Sequence, residues 1–246
     1  MSDSNLAPSV VLVMGAGDAI GSSIAAQFAL AGHTVCLARR NGNKLESIVT
    51  KLREEGHKAH GYSCDARDED QVIELFNTIE NTIGAIEVVV FNVGANVPMN
   101  IVNTSSQKFR KIWEMACFAG FLTGREAAKT MLTRKRGTII FTGATASMRG
   151  GANFGAFASA KHGLKALAQS MARDLGPKNI HVAHVVIDAA VDTQWIKEHH
   201  PAYNDLIDKD GIVNTDDLAK NYVMLHEQPR NSWTFELDVR PWVENW

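Results

Sequence analysis

The chain has 246 residues, of which 45% are hydrophobic and 21% are charged, and its formal net charge at pH 7 is −2. These proportions are typical of globular proteins and exclude an intrinsically disordered chain. A charge so close to zero gives no electrostatic basis for binding nucleic acid or an anionic membrane, so neither is expected as a partner.

The cysteines and the apolar segments indicate the environment of the chain. Cys36, Cys64 and Cys117 are odd in number and share no metal-ligand spacing, so we expect buried thiols and no metal site. The first apolar run, over residues 10–14, is too short for a secretory leader. No stretch approaches the roughly 18 apolar residues of a membrane helix. We therefore expect a soluble protein of the cytoplasm.

Seven short apolar runs, rich in β-branched residues, follow one another along the chain. Their ranges are Val10–Val13, Thr34–Ala38, Ala59–Ser63, Glu87–Phe91, Thr138–Thr142, Val182–Ile187 and Thr234–Val239. Most are continuously apolar rather than alternating, which is typical of parallel strands covered on both faces.

Helical patterns lie between these runs. Apolar residues recur three and four positions apart over residues 45–52, 72–83 and 164–175, and the last pattern ends at the stop signal Gly176-Pro177. The alternation predicts an α/β fold: a Rossmann-type, doubly wound parallel sheet of about seven strands with helices on both faces. No linker interrupts it, so we expect a single domain over residues 1–246. Ligands of such sheets lie at the carboxyl ends of the strands.

A glycine-rich turn follows the first run and leads into a helical segment. It consists of Met14, Gly15, Ala16, Gly17, Asp18, Ala19, Ile20 and Gly21. Glycine allows a tight turn and lets backbone N–H groups at a helix start approach a pyrophosphate. Many strand-to-helix turns need glycine for structural reasons alone. The position after the first strand of a β-α-β unit is what indicates a dinucleotide site.

The turn and several later segments resemble the short-chain dehydrogenase/reductase family. The turn is similar to the family's T-G-x-x-x-G-x-G fingerprint, with Met14 in place of the threonine and Ala19 in place of a glycine. The resemblance implies an NAD(P)-dependent oxidoreductase that acts on a small-molecule substrate. It also implies that the cofactor is held by the turn and by later residues. These are Asp65, Ala66, Asn92, Val93, Gly94, Lys161 and Thr193.

The end of the second strand bears on the choice between NADP and NAD. An acidic residue there binds the ribose 2′-hydroxyl of NAD, whereas arginine accommodates the 2′-phosphate of NADP. This chain has Arg39 and Arg40, whose planar donor groups suit a phosphate, so we expect NADP, with NAD as the alternative. Asp18 opposes this expectation, because its carboxylate would repel a phosphate nearby. Two solvated arginines at a strand end are the structural alternative.

The residues that transfer protons in the family are replaced here. The resemblance implies a tyrosine four residues before Lys161, a serine after the fifth strand and an asparagine earlier in the chain. These positions hold Phe157, Ala144 and Ala116. In the family, the lysine lowers the pKa of the tyrosine and holds the nicotinamide ribose. Because phenylalanine has no ionisable proton, Phe157 excludes the family's general acid.

Asp188 is a candidate substitute for the missing acid. It follows the sixth strand, near where the resemblance places the nicotinamide, and a carboxyl group in an apolar cleft can have a raised pKa. The alternative is a hydrogen-bonded turn aspartate. Thr142, Thr145 and Ser147 surround position 144, where they either bind a substrate oxygen or cap turns.

The last third of the chain suggests a lid and an interface. Residues 194–214 are interpreted as a substrate lid, and a strand and tail over residues 229–246 are rich in tryptophan, a favoured anchor of subunit interfaces. Packing over the chain's own core is the alternative for the tail. We expect a homodimer or homotetramer. Two functions stay open: an oxidoreductase with a non-standard proton donor, and a cofactor-binding sensor or partner subunit without turnover.

Overall fold

The computed structural model describes residues 9–94 and 96–244. The first eight residues of the predicted domain and the last two of the predicted tail therefore lie outside the described residues. The described residues form seven strands: β1 (Val10–Met14), β2 (Thr34–Arg39), β3 (Ala59–Ser63), β4 (Ile86–Phe91), β5 (Gly137–Thr142), β6 (Ile180–Ile187) and β7 (Glu236–Val239). They match the seven predicted runs.

The helices lie between these strands along the chain. They are α1 (Ile20–Leu30), α2 (Glu46–Glu54), α3 (Glu69–Thr82), α4 (Ser106–Trp113), α5 (Ala119–Arg134), α6 (Gly155–Leu175), α7 (Gln194–His199), α8 (Tyr203–Ile207) and α9 (Thr215–Glu227). One π-helical turn, Glu114–Phe118, joins α4 to α5 and holds the buried Ala116. None of the described helices is long and apolar enough to cross a membrane.

The strands form one parallel sheet in the order β3-β2-β1-β4-β5-β6-β7. The chain winds outward in one direction from β1 to β3 and in the other from β4 to β7. The crevice at this reversal, outside the carboxyl ends of β1 and β4, is where open α/β sheets bind ligands.

Two apolar layers hold the helices to the sheet. One face packs against α3, α5 and α6 through residues such as Phe76, Met131 and Leu164. The other packs against α1, α2 and α9 through residues such as Phe28 and Tyr222. Because both faces are covered, the strands are apolar on both sides. The predicted α/β fold, a doubly wound parallel sheet in a single domain, is confirmed.

The last strand begins two residues later than predicted. The backbone N–H of Thr234 donates to the Gln228 side chain at 2.8 Å rather than to β6, so the sheet ladder starts only at Glu236. Trp233 stacks on the buried ring of His181 at 4.9 Å and thus packs over the chain's own core, whereas Trp242 is 81% exposed. The three cysteines are buried free thiols, as predicted.

Candidate active site

The glycine turn lies against the end of β4. Gly15 has φ +87°, and a Cβ atom there would lie 2.8 Å from the Asn92 carbonyl oxygen. A Cβ on Gly21 would lie 2.7 Å from the Gly15 carbonyl oxygen, whereas Gly17 faces open space. Only glycine fits the first two positions, and the third leaves room for a ligand beside the N-terminus of α1. Ala19, in place of a glycine, is the cap residue of α1.

A cavity of about 400 Å³ opens beside this turn. The expected cofactor residues that line it are Gly15, Gly17, Arg39, Arg40, Asp65, Ala66, Asn92, Val93 and Gly94. Sequence reasoning missed five further lining residues, namely Asn41, Lys44, Cys64, Arg67 and Met115. Lys44 and Arg67 carry a detectable signal, because each is a cation within a few residues of an expected cofactor residue. Met115 comes from the π-helical turn, which no sequence pattern marked.

Two of the four cationic side chains that line this cavity are engaged in ion pairs. Arg39 donates to the carboxylate of Asp18 at 2.7 Å, so the aspartate that was expected to repel a phosphate is neutralised by one of the two arginines. Arg67 holds Asp65 through two side-chain bonds, one of 2.9 Å, and these bonds lower the pKa of that carboxyl group. Arg40 and Lys44 form no salt bridge within the described part of the chain.

A second cavity of about 490 Å³ adjoins the first, because Asn92, Val93 and Gly94 line both. The other expected residues that line it are Ile20, Ala144, Phe157, Lys161 and Thr193. Trp195 and Ile196 of α7, inside the predicted lid, also line it, as does Val191. The structure thus brings the two ends of the predicted site together in one cleft along the carboxyl ends of β1, β4, β5 and β6.

Lys161 lines the second cavity and is buried, with 3% of its surface exposed. Its ammonium group donates to the carbonyl oxygen of Thr142 at 2.7 Å and to that of Val93 at 3.3 Å. The Nζ atom lies 5.9 Å from the centroid of the Phe157 ring, within the range of a cation–π contact. Burial lowers the pKa of Lys161 to about 8, because a charged amine is disfavoured away from water.

The hydroxyl groups around Ala144 bond within the protein. The Ser147 hydroxyl accepts the Ala144 backbone N–H at 3.1 Å, and the Thr142 hydroxyl bonds the buried Tyr222 hydroxyl at 2.9 Å. Thr145 donates to Asp188 at 2.6 Å. All three hydroxyl groups are thus used in hydrogen bonds within the protein, which favours a structural role for them over the binding of a substrate oxygen.

Asp188 is not a carboxyl group in an apolar cleft, and the expectation of a raised pKa is wrong. It is 1% exposed and accepts two hydrogen bonds from Arg149, both of 2.9 Å, besides the one from Thr145. Burial raises the pKa of Asp188, but the bonds and charges of Arg149, Thr145 and Arg240 outweigh burial and lower it. An ionised carboxylate held this way is the hydrogen-bonded turn aspartate, the alternative that the sequence left open.

We expect Asp188→Asn to lower the free energy of unfolding at pH 7 by about 1.5 kcal/mol, because it weakens hydrogen bonds to a charged group. This value is the low end of the usual range, chosen because the Arg149 side chain is half exposed and solvent screens its charge. For a domain of this size, that is a fall in Tm of about 3–6 °C. Because the pKa of Asp188 is lower in the folded state, its ion pairs stabilise the fold at pH values above the ordinary pKa of aspartate. This contribution to stability is lost as the pH falls and the carboxylate takes up a proton. The difference should therefore shrink below about pH 4.

Thermal unfolding of wild type and Asp188→Asn at several pH values measures this difference. Asp174→Asn is the control, since Asp174 is exposed on α6. A wild type and an Asp188→Asn variant that melt together at pH 7 would show that the ion pairs contribute nothing.

The sheet, the glycine turn at its switch point and the adjoining cavities define a Rossmann-type dinucleotide-binding domain. Residues 9–204 match the short chain dehydrogenase family. The chain belongs to this family and is an oxidoreductase of its type.

Individual relatives agree with the family match. The chain is 30% identical to 2-dehydro-3-deoxy-D-gluconate 5-dehydrogenase of Formosa agariphila, over 70% of this chain and 66% of that enzyme. It is 30% identical to 3-oxoacyl-(acyl-carrier-protein) reductase MabA of Mycobacterium bovis, over 76% and 71% of the two chains. A solved short-chain dehydrogenase from Rhodopseudomonas palustris is 46% identical, with a TM-score of 0.82 over 95% of this chain and 99% of the other.

Proposed function

We propose that this chain is an NADP(H)-dependent oxidoreductase that transfers hydride to or from a small carbonyl or alcohol substrate, with a non-standard proton donor. The observation that carries the proposal is the single cleft formed by two adjoining cavities. One is bordered by a glycine turn and by cations, and the other is mainly apolar. When bound, the nicotinamide group supplies a hydride, which is a proton with two electrons.

The described residues fit such a cofactor. The open space at Gly17 and the N-terminus of α1 suit a pyrophosphate. We assign Asp65 and Ala66 to the adenine, and Asn92, Val93 and Gly94 to the middle of the cofactor, because these three line both cavities. Lys161 and Thr193 line the second cavity, where we assign them to the nicotinamide end.

The preference for NADP rests on the arrangement of cations in the first cavity. Arg40 and Lys44 face it without a salt bridge among the described residues, so their charges are available to a 2′-phosphate. Arg39 is held by Asp18, whose side chain is 79% exposed and therefore able to turn away when a phosphate competes for the guanidinium group. Charge-assisted bonds of this kind are about twice as strong as neutral ones.

The second cavity suits a small substrate with an apolar body. Its walls include Phe157, Ile187, Val191 and Trp195, while Asn96 and Thr193 provide polar side chains. Trp195 is 55% exposed and stacks on His199 within α7, so it lies at the mouth of the cavity. We assign the segment over residues 194–214 as the substrate lid.

We further propose that Phe157 and Ala144 occupy the places of the family's catalytic tyrosine and serine. Both line the second cavity beside Lys161, and neither side chain carries a proton that a substrate could receive. The cofactor cleft is kept while the usual acid is absent. The alternative of a binding protein without turnover is not favoured, because the relatives that match are named dehydrogenases and reductases.

A carbonyl screen tests the proposed activity. Wild-type protein is mixed with NADPH and a panel of small ketones and aldehydes, including aromatic ones, and loss of the reduced cofactor is followed by absorbance. We expect turnover with at least one apolar carbonyl compound. NADPH binding without oxidation across the panel would instead support the sensor function.

We also propose that the chain forms a homodimer or homotetramer. Phe109 and Trp113 of α4 and Phe121 of α5 are each 37–39% exposed, and Phe118 contacts both the Trp113 and the Phe121 rings, which joins these two into one aromatic surface. Aromatic side chains favour subunit interfaces. Light scattering at micromolar concentration should give the mass of two or four chains, and a mass of 26.9 kDa would refute the assembly.

A further inference from the structure

We propose that the ammonium group of Lys161 is the proton donor of this site, an inference that rests on the proposed oxidoreductase function. In this role Lys161 is itself the acid rather than a residue that adjusts the pKa of a neighbouring tyrosine. The proposal replaces Asp188, whose carboxylate is bound by Arg149 and Thr145.

The composition of the second cavity leads to this choice. Among the described residues that line the cavity, Lys161 has the only ionisable side chain. The polar neighbours Asn92, Asn96, Thr142 and Thr193 carry amides and hydroxyls, which do not release a proton near neutral pH. A reaction that consumes a proton in this cavity therefore has one side chain to take it from.

The geometry of Lys161 leaves a donor for the substrate. An ammonium group carries three N–H donors, and two of them are directed at the carbonyl oxygens of Thr142 and Val93. Within the described part of the chain, this leaves one donor for an oxygen atom in the cavity. The Phe157 ring lies beside the Nζ atom and provides a flat apolar wall against which a carbonyl group can lie.

Burial and the neighbouring titratable groups together set the pKa of Lys161. Cys117 faces it from the π-helical turn, and any thiolate there raises the pKa of Lys161. His184 of β6 also interacts with Lys161, and behind His184 lie Glu236 of β7 and Lys165 of α6. Burial is the largest effect and brings the pKa of Lys161 to about 8, which suits an acid that works near neutral pH.

The proton transfer balances in the direction of reduction. The carbonyl carbon gains the hydride that a reduced nicotinamide supplies, and the carbonyl π electrons move onto oxygen. That oxygen then takes a proton from Lys161, so an N–H bond breaks and an O–H bond forms. The neutral amine regains a proton from solvent. Oxidation of an alcohol follows the reverse path, with the neutral amine as the base.

The test compares wild type with Lys161→Met and Lys161→Arg, using NADPH and 4-nitrobenzaldehyde as the probe. Reduction by wild type should lose about tenfold in kcat/KM per pH unit above about pH 8, because the acid must be protonated. Lys161→Met should lower kcat by about 10²–10⁴-fold and remove this dependence. Lys161→Arg keeps the positive charge, so its affinity for NADPH should be closer to that of wild type than the affinity of Lys161→Met is. Its guanidinium group holds the proton too tightly to act as an acid, so its kcat should stay as low as that of Lys161→Met. Lys178→Met, at an exposed position just beyond the end of α6, is the control and should keep the wild-type pH profile.

A second readout needs no turnover. In protein labelled with ¹⁵N at the lysine side chains, one ammonium signal should titrate near pH 8 and be missing from Lys161→Met. A Lys161 signal that titrates with the exposed lysines, or a Lys161→Arg variant with wild-type kcat, would overturn the proposal while the proposed function stands. If wild type binds NADPH but reduces neither this probe nor any carbonyl of the screen, the proposed function fails and this proposal with it.

Discussion

The double variant Phe157→Tyr/Ala144→Ser is expected to reduce acetophenone about 10²-fold faster than wild type, the low end of what one positioned general acid contributes. The expectation follows from the place of Phe157, whose ring lines the substrate cavity with Lys161 Nζ 5.9 Å from its centroid. A tyrosine there acquires a hydroxyl group close to an ammonium group, which lowers the pKa of the phenol. A serine at position 144 adds a donor for the carbonyl oxygen.

The comparison needs a control for the added hydroxyl group. Phe121→Tyr adds the same atom to a partly exposed ring on α5 and should leave the rate unchanged. The rates are measured as NADPH oxidation at saturating cofactor. A double variant that is slower than wild type would show that the apolar wall is an adaptation to the natural substrate and that Phe157 does not stand in place of an acid.

The double variant Arg39→Ala/Arg40→Ala is expected to bind NADPH about 10²-fold more weakly, because it removes charge-assisted bonds to the 2′-phosphate. NADH lacks this phosphate, so its affinity should change little. The two arginines differ in the free protein: Arg39 is engaged by Asp18 and Arg40 forms no ion pair within the described residues. Asp18→Asn should therefore raise NADPH affinity, since it releases Arg39 and removes a negative charge near the phosphate.

Fluorescence titration of the reduced cofactors measures these affinities. Arg173→Ala removes an exposed arginine at the end of α6 and serves as the control for a change in net charge. Equal losses of NADPH and NADH affinity in the arginine variant would mean that Arg39 and Arg40 support the cavity wall rather than bind the phosphate.

Most of the fold was predictable because its signals are local. Strands such as β1 and β4 are apolar on both sides since helices cover both faces, and this burial is visible as continuous apolar runs. Positions 15 and 21 of the turn were predictable for a similar reason, since no side chain fits there. The place of Lys161 at the cavity was implied by the resemblance to the family, and Lys161 lines the second cavity.

The electrostatics of the site depend on contacts that no local pattern encodes. The pKa of Asp188 is lowered by Arg149, which is 39 residues away in sequence, so the sequence alone suggested the opposite direction. The pairing of Asp18 with Arg39 likewise joins the glycine turn to the end of β2, 21 residues further along the chain. Burial of Lys161 and its effect on the proton depend on the strand ends that surround it, and only the folded structure brings them together.

Titration of the wild-type protein with NADPH and, in the same buffer, with NADH tests the central claim most directly. The cleft combines a glycine turn that leaves room for a pyrophosphate with cations placed for a 2′-phosphate. We predict that both cofactors bind and that NADPH binds at least about tenfold more tightly, as one net charge-assisted bond provides. Equal affinities would contradict the NADP assignment, and absence of binding by either cofactor would contradict the assignment of the cleft.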